Sequence, residues 1–558
     1  MCWWYARPVQ WFGSSPNFIL RLTEFSGLIT NWTTKLHTNH PWLVLVLLVQ
    51  LVAIASGQVK ESDCAKARSH LNSAQAAIDA QDSVTALREL NQAVHIAPRC
   101  ADAYLMLGLI EFRNGATADA IQNYQRAILL RPRSYSIHYD LALAYLKEQK
   151  LQEARTQLEE AVKLDPSQAD AMYNLGMVLE ELGQASESLV KLQRAKALDP
   201  KRPDVTFNIV RVQLELGLVS AARAEARNSA KQFGRDSHWC GAIGQLFLQK
   251  DQPNDAVPYL QRAVGNRPDD AEFRHQLAVA YLRSGQADEV LRTVIEPKTA
   301  DDHYLRASAY YLSHQYHEAD SESEEALHLA PDSPQILVLR TRLLQRAGDQ
   351  DEALRMAQKT IALAPTWDQP YYLAGVSSYF IRLYEEAVKN LARALELNPK
   401  SSRALFVQYL ALANLGKLSD AESSLRRAIA LQPTNARLHC HLGILLGREY
   451  RTEEGEQSFR KAIQLKPEYA LSHYELGKLL ASSGHFRRAA QELEQAIRYD
   501  PGLTSGYYQL GRIYLKLGES EKSAHMLAEF NRLHKQDQED PQDDQAHRDD
   551  AKKEVEAQ

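Results

Sequence analysis

The amino-acid sequence predicts an all-α protein, an α-solenoid of about fourteen helix-turn-helix repeats. The first observation is a proline that returns every 34 residues, in one run of four and one run of six. The second is that small and apolar residues return at fixed places within each period. A period of about 20 to 50 residues is typical of arrays in which each unit buries its apolar face against its neighbours. The prolines are Pro98, Pro132, Pro166 and Pro200, then Pro331, Pro365, Pro399, Pro433, Pro467 and Pro501.

The regular spacing is interrupted between the two runs. Pro268 follows Pro200 by two periods, but Pro331 follows Pro268 by five residues fewer than two periods. Gly234 stands where the proline of the fifth unit is expected. We therefore place a hinge, or a boundary between two binding regions, between Pro200 and Pro331. The predicted blocks are 67–236 with five units, 237–299 with two units, the second of them shortened, and 300–537 with seven units.

Within a unit the pattern predicts two packed helices. Apolar residues fall three and four apart, as in Leu175, Val178 and Leu179, which is the stripe of a helix buried on one side. Alanine recurs at the twentieth and twenty-seventh positions, where neighbouring helices are expected to nest closely. Glycines such as Gly183 suit a left-handed turn between the helices, because glycine enters that conformation without steric cost. The recurring proline then stops the second helix.

These residues resemble the tetratricopeptide repeat family, of bacterial type. The family pattern W-x2-L-G-x2-Y, A-x3-F and a final proline is similar to Tyr173-Asn174-Leu175-Gly176 through Pro200, and to Leu510-Gly511 with Tyr514. The resemblance covers about 67–537, although the aromatic residue at the fourth position is mostly replaced. It implies a right-handed superhelix with an inner groove that binds other proteins or peptides. First-helix positions two, five, six, nine and twelve would face that groove.

The N-terminal sequence predicts export. Residues 41–57 form an apolar run without charge, and Ala53-Ile54-Ala55 has the small-x-small form of a signal-peptidase site. The run is either a cleaved signal peptide or a signal-anchor that holds the chain in the membrane. Residues 1–40 would then be cytoplasmic, or untranslated if translation starts later. The expected location is across or in the bacterial inner membrane, with the repeats on the periplasmic or extracellular side.

Charge is concentrated at the C-terminus. Nine acidic and four basic residues between Lys535 and Gln558 account for the whole net charge of −5. The remainder is neutral on balance, which argues against nucleic acid as a partner because such binders usually carry a basic excess. Residues 538–558 lack apolar spacing and are predicted to be an acidic disordered tail.

No motif predicts catalysis. Phosphate-binding glycine loops, nucleophile elbows and C-x-x-C pairs are all absent from the sequence. His439-Cys440-His441 has metal-binding residue types, but residues two apart on a helix face different ways. We expect no enzyme activity, small-molecule substrate, cofactor or metal. Cys64 and Cys100 lie at nearly matching places in adjacent hairpins and are candidates for a disulfide, whereas Cys240 and Cys440 are expected to be buried thiols.

The candidate binding residues are groove residues at positions five and six. An aromatic ring beside an amide or acid can pack a peptide's side chains and hydrogen-bond its backbone. The step from Asn174 to Asn208 resembles the asparagine ladder of the repeat arm of O-linked N-acetylglucosamine transferases. The alternative is that these residues serve packing alone. The candidates are Tyr139, Asp140, Tyr173, Asn174, Phe207, Asn208, Tyr304, Tyr372, Phe406, Tyr474, Glu475, Tyr508 and Gln509.

Position six turns apolar in four consecutive units, at Leu305, Leu339, Leu373 and Val407. This stretch would hold an amphipathic partner helix or be buried between hairpins. The predicted function is therefore a non-enzymatic scaffold of the bacterial envelope that binds extended or helical peptide segments. The alternative is a targeting arm for a separate glycosyltransferase or for polysaccharide-secretion machinery.

Overall fold

The computed structural model describes residues 62–539, and the regular elements in that range are all α-helices. A four-residue helix α1 (Ser62–Ala65) precedes fourteen helical hairpins. The first five hairpins are α2 (Arg68–Asp79) with α3 (Ser83–Ile96), α4 (Ala101–Arg113) with α5 (Thr117–Leu130), α6 (Tyr135–Lys147) with α7 (Leu151–Leu164), α8 (Ala169–Glu181) with α9 (Ala185–Leu198), and α10 (Pro203–Glu215) with α11 (Val219–Phe233).

Nine further hairpins follow in the described part of the chain. They are α12 (Ser237–Gln249) with α13 (Pro253–Asn266), α14 (Ala271–Arg283) with α15 (Ala287–Thr293), α16 (Ala300–Leu312) with α17 (Tyr316–Leu329), α18 (Pro334–Ala347) with α19 (Gln350–Leu363), α20 (Asp368–Phe380) with α21 (Tyr384–Leu397), α22 (Ser402–Asn414) with α23 (Leu418–Leu431), α24 (Ala436–Arg448) with α25 (Thr452–Leu465), α26 (Ala470–Ser482) with α27 (Phe486–Tyr499), and α28 (Thr504–Lys516) with α29 (Ser520–Glu539). The predicted all-α repeat array of about fourteen units is confirmed.

Small residues set the distance between the helices of a hairpin. A Cβ atom on Gly176 of α8 would lie 2.9 Å from Leu192 of α9, and one on Gly108 of α4 would lie 2.7 Å from Tyr124 of α5. The recurring alanines at positions twenty and twenty-seven, such as Ala154 and Ala161, are 0–1% exposed. In hairpins such as these, small residues on one helix therefore allow the other helix to approach closely.

The turn inside each hairpin contains one residue with a positive φ. Eight of the fourteen turns in the described range use glycine, with φ between 73° and 90°. The other six use residues for which this conformation is strained. Glycine is therefore not required by every turn, which corrects the expectation from the sequence. The six are Gln81, Gln149, Asp251, His314, Arg382 and Tyr450, with φ between 54° and 65°.

Histidine replaces the expected aromatic residue at position four in several units and joins neighbouring hairpins. In three first helices its Nε2 donates a hydrogen bond to the carbonyl of the proline that closes the preceding hairpin. A carbonyl can only accept, so Nε2 carries the proton in each case. The pairs are His138 with Pro132 (3.0 Å), His439 with Pro433 (3.0 Å) and His473 with Pro467 (2.9 Å).

The chain forms two compact units, and the first ends at Gly234. Gly234 is the residue that replaces the closing proline, and it ends α11 with a right-handed φ of −65°. The second unit begins at Arg235 and contains the shortened hairpin. There the five missing residues fall on the second helix, because α15 has seven residues where its counterparts have about fourteen. The hinge predicted between Pro200 and Pro331 stays a prediction.

The two ends of the described range differ. Cys64, in α1, is joined to Cys100 by a disulfide with a Cα–Cα distance of 4.8 Å, so the bond spans the whole first hairpin. At the other end α29 runs to Glu539, so it includes the first two residues of the predicted acidic tail, 538 and 539. The predicted signal or anchor at 41–57, the lead at 1–40 and the tail from 540 onward lie outside the described residues. Within 62–539, no helix is both long and apolar enough to cross a membrane.

Candidate functional site

In the first compact unit, first-helix residues at positions five and six of consecutive hairpins are linked by hydrogen bonds. The Asn174 amide donates to the Tyr139 hydroxyl at 2.9 Å, and the Asn208 amide donates to the Tyr173 hydroxyl at 3.1 Å. Each bond runs from position six of one unit to position five of the unit before it. The two tyrosine rings are half-buried, and burial raises the pKa of both hydroxyls. They therefore stay protonated at neutral pH and are held in place by the next hairpin.

The two asparagines differ in how many of their side-chain amide atoms are already hydrogen-bonded within the protein. Asn208 is 7% exposed, donates also to the Asp204 carbonyl at 3.0 Å, and accepts from the Arg211 guanidinium at 2.8 Å. Its amide is thus fully used within the protein. Asn174 is half-buried and makes only the Tyr139 hydrogen bond among the described residues. Of the predicted ladder, only Asn174 keeps an amide oxygen available to a ligand.

Arg211 and Arg202 surround this row of aromatic rings. Arg211 forms an ion pair with Glu180 of the preceding hairpin, and burial raises the pKa of that carboxyl although the arginine opposes the shift. Arg202 lies 4.6 Å from the centroid of the Tyr173 ring and pairs with Asp204 at 2.6 Å. The motif analysis did not identify these arginines. The signal for Arg202 in the sequence would have been a basic residue two before the acid Asp204 at position two.

Asp140 is the one acid among the predicted groove residues that has no partner within the described range 62–539. It is half-buried on α6 and makes no hydrogen bond or ion pair among the described residues. Burial raises its pKa to about 6, because no neighbouring cation compensates for the lost hydration. Phe207, one ring further along than Tyr173, is half-buried as well. The predicted site residues of this unit therefore form a partly exposed aromatic row with one uncompensated carboxyl.

In the second compact unit most of the predicted aromatic residues are packing residues. Tyr372 and Tyr474 are each 9% exposed and Phe406 is 1% exposed. Tyr304 is half-buried, and Tyr508 is 39% exposed beside the half-buried Gln509. Among the predicted aromatic residues of this unit, only Tyr304 and Tyr508 are therefore partly exposed.

Polar side chains of the second compact unit form hydrogen bonds with other residues of that unit. Both carboxylate oxygens of Glu475 accept from Lys478 at 2.9 Å. His439 bonds the Pro433 carbonyl, whereas His441 is 3% exposed and its Nδ1 lies 3.3 Å from the Tyr409 hydroxyl. The two histidines thus have separate partners, as expected for residues two apart on a helix.

The apolar stretch at position six is interior. All four of its side chains are buried between hairpins, which leaves them closed to a partner helix in this structure. They are Leu305 (3% exposed), Leu339 (7%), Leu373 (3%) and Val407 (3%).

Known proteins are similar to this chain in repeat type. Sequence models described as "Tetratricopeptide repeat" match 139–203, 372–436, 408–470, 474–543, 247–308 and 334–359, and one described as "TPR repeat" matches 108–149. Together these ranges cover more than half of the chain.

Two relatives are plant proteins. The Hsp70-Hsp90 organizing protein of Triticum aestivum is 26% identical over 129 residues, which are 22% of this chain and 22% of that protein. Hsp70-Hsp90 organizing protein 2 of Arabidopsis thaliana is 26% identical over 129 residues, 22% of this chain and 23% of that protein. The chain thus spans less than a quarter of the length of these relatives.

Two solved structures are also similar in part. The Cut9–Hcn1 hetero-tetramer of APC/C gives a TM-score of 0.39 at 14% identity, covering 79% of this chain and 95% of that one. YrrB, described as a TPR protein with an unusual peptide-binding site, gives 0.30 at 21% identity, covering 33% and 96%. The periodic sequence, the fourteen hairpins and the matched repeats together lead to one assignment: the chain belongs to the tetratricopeptide repeat family.

Proposed function

We propose that this protein is a non-enzymatic interaction scaffold whose first compact unit binds an extended or helical peptide segment of another protein. The observation that carries the proposal is the row of Tyr139, Tyr173 and Phe207, which repeats every 34 residues and remains half-exposed. Two of these rings are fixed through their hydroxyls by the asparagine of the next hairpin. Rigid aromatic surfaces bind a partner with little loss of side-chain entropy.

Peptide capture tests this proposal. The purified chain is used to select from a random peptide library, and the selected peptides are measured by fluorescence anisotropy. Phe207→Ala removes one ring that makes no hydrogen bond, so we expect at least about tenfold weaker binding, as for other anchoring aromatics. Leu129→Ala is the matched control, because Leu129 is 83% exposed on the second helix α5. Equal binding by both variants would contradict the role of the row.

We also propose that the repeats function outside the cytoplasm, in the bacterial envelope. The support is the apolar sequence at 41–57 together with the Cys64–Cys100 disulfide, because disulfides persist in oxidising compartments. Mass spectrometry of the mature N-terminus and of the thiol count tests this. A start near Ser56 or Gln58 with Cys64 and Cys100 oxidised is the expected result. An intact N-terminus with all cysteines reduced would contradict it.

A further inference from the structure

The twelfth hairpin, α24 with α25, contains glycines inside helices where no turn requires them. Gly447 lies in the last turn of α24, and a Cβ atom there would meet only Leu479 at 3.6 Å, an ordinary contact. Gly455 occupies the twentieth position, which is alanine in ten other units. A Cβ on Gly455 would lie 3.3 Å from the Gly443 carbonyl, so that glycine lets the two helices approach. Packing therefore explains Gly455 but does not explain Gly447.

The missing side chain at Gly447 leaves a depression between α24 and α26. Its volume is about 300 Å³, and its apolar wall is formed by Ile444, Phe459 and Leu479. Phe459 is 2% exposed and supports the floor. Gly447 and Ile444 occupy positions twelve and nine, which the family resemblance assigns to the groove. A volume at the lower end of the roughly 300–1,000 Å³ range of ligand pockets suits a single side chain with its backbone.

The rim of the depression carries one cation, Arg448, that forms no ion pair with the residues that the structure describes. Glu475 and Lys478 both line it, but they neutralise each other through the two 2.9 Å contacts. Arg448 is exposed, lines the same depression, and makes no ion pair within residues 62–539. Two hairpins further along than Arg448, Arg512 is exposed and stacks over the Tyr508 ring at 5.6 Å without a carboxylate partner among the described residues. The local charge complements an acidic ligand.

We propose that this depression binds one apolar side chain of an extended acidic peptide, whose neighbouring carboxylate pairs with Arg448. The inference rests on the proposed peptide-binding function and adds a second site, in the second compact unit, with its own specificity. The apolar wall selects the side chain, and the arginine selects an acid beside it over a base. In the described part of the chain, Arg448 makes no ion pair that binding would have to break.

Selection from a peptide library tests the proposal with the full chain. The peptides in the library have Leu, Phe or Ser at the central position, with Ser as the polar comparison, and Glu or Lys at the flanking positions. A synthetic peptide of residues 540–558 is included. Gly447→Leu fills the depression, and Gly265→Leu is its control because Gly265 has open space around it in helix α13. Arg448→Glu reverses the rim charge, and Arg487→Glu is its control, an exposed arginine on the second helix α27.

The wild type and both control variants are expected to enrich apolar peptides flanked by Glu. Gly447→Leu should weaken binding of these peptides at least about tenfold, and Arg448→Glu should shift the preference from Glu to Lys. Because a Cβ atom at position 447 would meet only Leu479 at 3.6 Å, Gly447→Leu should unfold at a temperature no lower than that of the wild type, which excludes misfolding as the cause. Unchanged selection by both variants would overturn the site.

Two other results separate the possible failures. Selection of no peptide by the wild type would overturn the proposed function together with this inference. Selection of peptides by the wild type that depends on Phe207 but is unaffected at Gly447 and Arg448 would overturn this inference alone. Preferred binding of the 540–558 peptide would assign the site to the chain's own tail and overturn an external partner.

Discussion

The strained turn at Tyr450 gives a prediction in which one backbone angle determines stability. Tyr450 has φ of 60° in the turn between α24 and α25 and is 92% exposed. A residue with a Cβ pays roughly 1–2 kcal/mol in this conformation. Glycine avoids that cost, but it gives the unfolded chain more conformational entropy, which costs roughly 0.5–1 kcal/mol on folding. Tyr450→Gly should therefore raise the free energy of unfolding of the second compact unit by about 1 kcal/mol.

Two further variants isolate the backbone contribution. Tyr450→Ala removes the same exposed side chain but keeps the Cβ atom, so it should leave stability near that of the wild type. Gly484→Ala makes the reverse change in the next hairpin, where φ is 78° and no atom lies within 4 Å of the added Cβ. It should lower stability by about 1 kcal/mol.

Urea denaturation followed by circular dichroism measures these differences, with hydrogen exchange of the amides in α24 and α25 as the local readout. The Arg451 amide is a useful probe because it donates to the Leu446 carbonyl at 3.0 Å across this turn. Its protection should increase in Tyr450→Gly. A decrease in stability for Tyr450→Gly, or equal gains for the glycine and alanine variants, would refute the reasoning.

Three other changes have expected outcomes. Cys64→Ser opens a loop with a sequence separation of 36 and should destabilise the first hairpin by about 4 kcal/mol. Hydrogen exchange of the amides in α2 and α3 measures this, with the untreated wild type and the reduced wild type as comparisons. Burial raises the pKa of Asp140 to about 6, so ionisation of this carboxyl costs stability as pH rises from about 4 through 6. Asp140→Asn should therefore raise the free energy of unfolding of the first unit by up to about 3 kcal/mol at pH 7.5 and change it little at pH 4. Urea denaturation at the two pH values measures the difference. Burial lowers the pKa of His473, but hydrogen bonds to Glu492 and to the Pro467 carbonyl outweigh this effect and raise the pKa above its ordinary value. The stability that protonated His473 contributes is present below about pH 6.5 and should be lost as pH rises through the raised pKa. His473→Gln should flatten this pH dependence of the free energy of unfolding.

The sequence was sufficient to predict the hairpins because their contacts recur with the period. Proline and the small residues repeat every 34 residues, and the second helices do end two residues before prolines such as Pro166 and Pro399. The shortened hairpin was also visible, since a deletion changes the spacing directly. The spacing of the prolines does not determine which helix of the hairpin is shortened. In the structure it is the second helix, α15, which has about half the length of its counterparts.

Side-chain pairing could not be predicted in the same way. Tyr474 and Tyr139 hold the same position in their units, yet one is 9% exposed and the other half-buried, because exposure depends on the neighbours supplied by adjacent hairpins. Asn208 was a candidate ligand contact, but the nearby Arg211 uses its amide oxygen. The left-handed residue at Tyr450 was missed because the turn geometry, and not the residue type, sets φ there.

The disulfide at the start of the array has a consequence for how the protein unfolds. A terminal hairpin has a neighbour on one side only, so an open-ended array loses its ends first. Here the bond between Cys64 and Cys100 encloses α2 and α3 in a covalent loop that reaches the start of α4. The first hairpin can lose its helices without separating from the second. While the bond is intact the two ends of the first hairpin cannot move apart even when its helices unfold, so we expect a reductant to increase local opening and proteolysis of this hairpin.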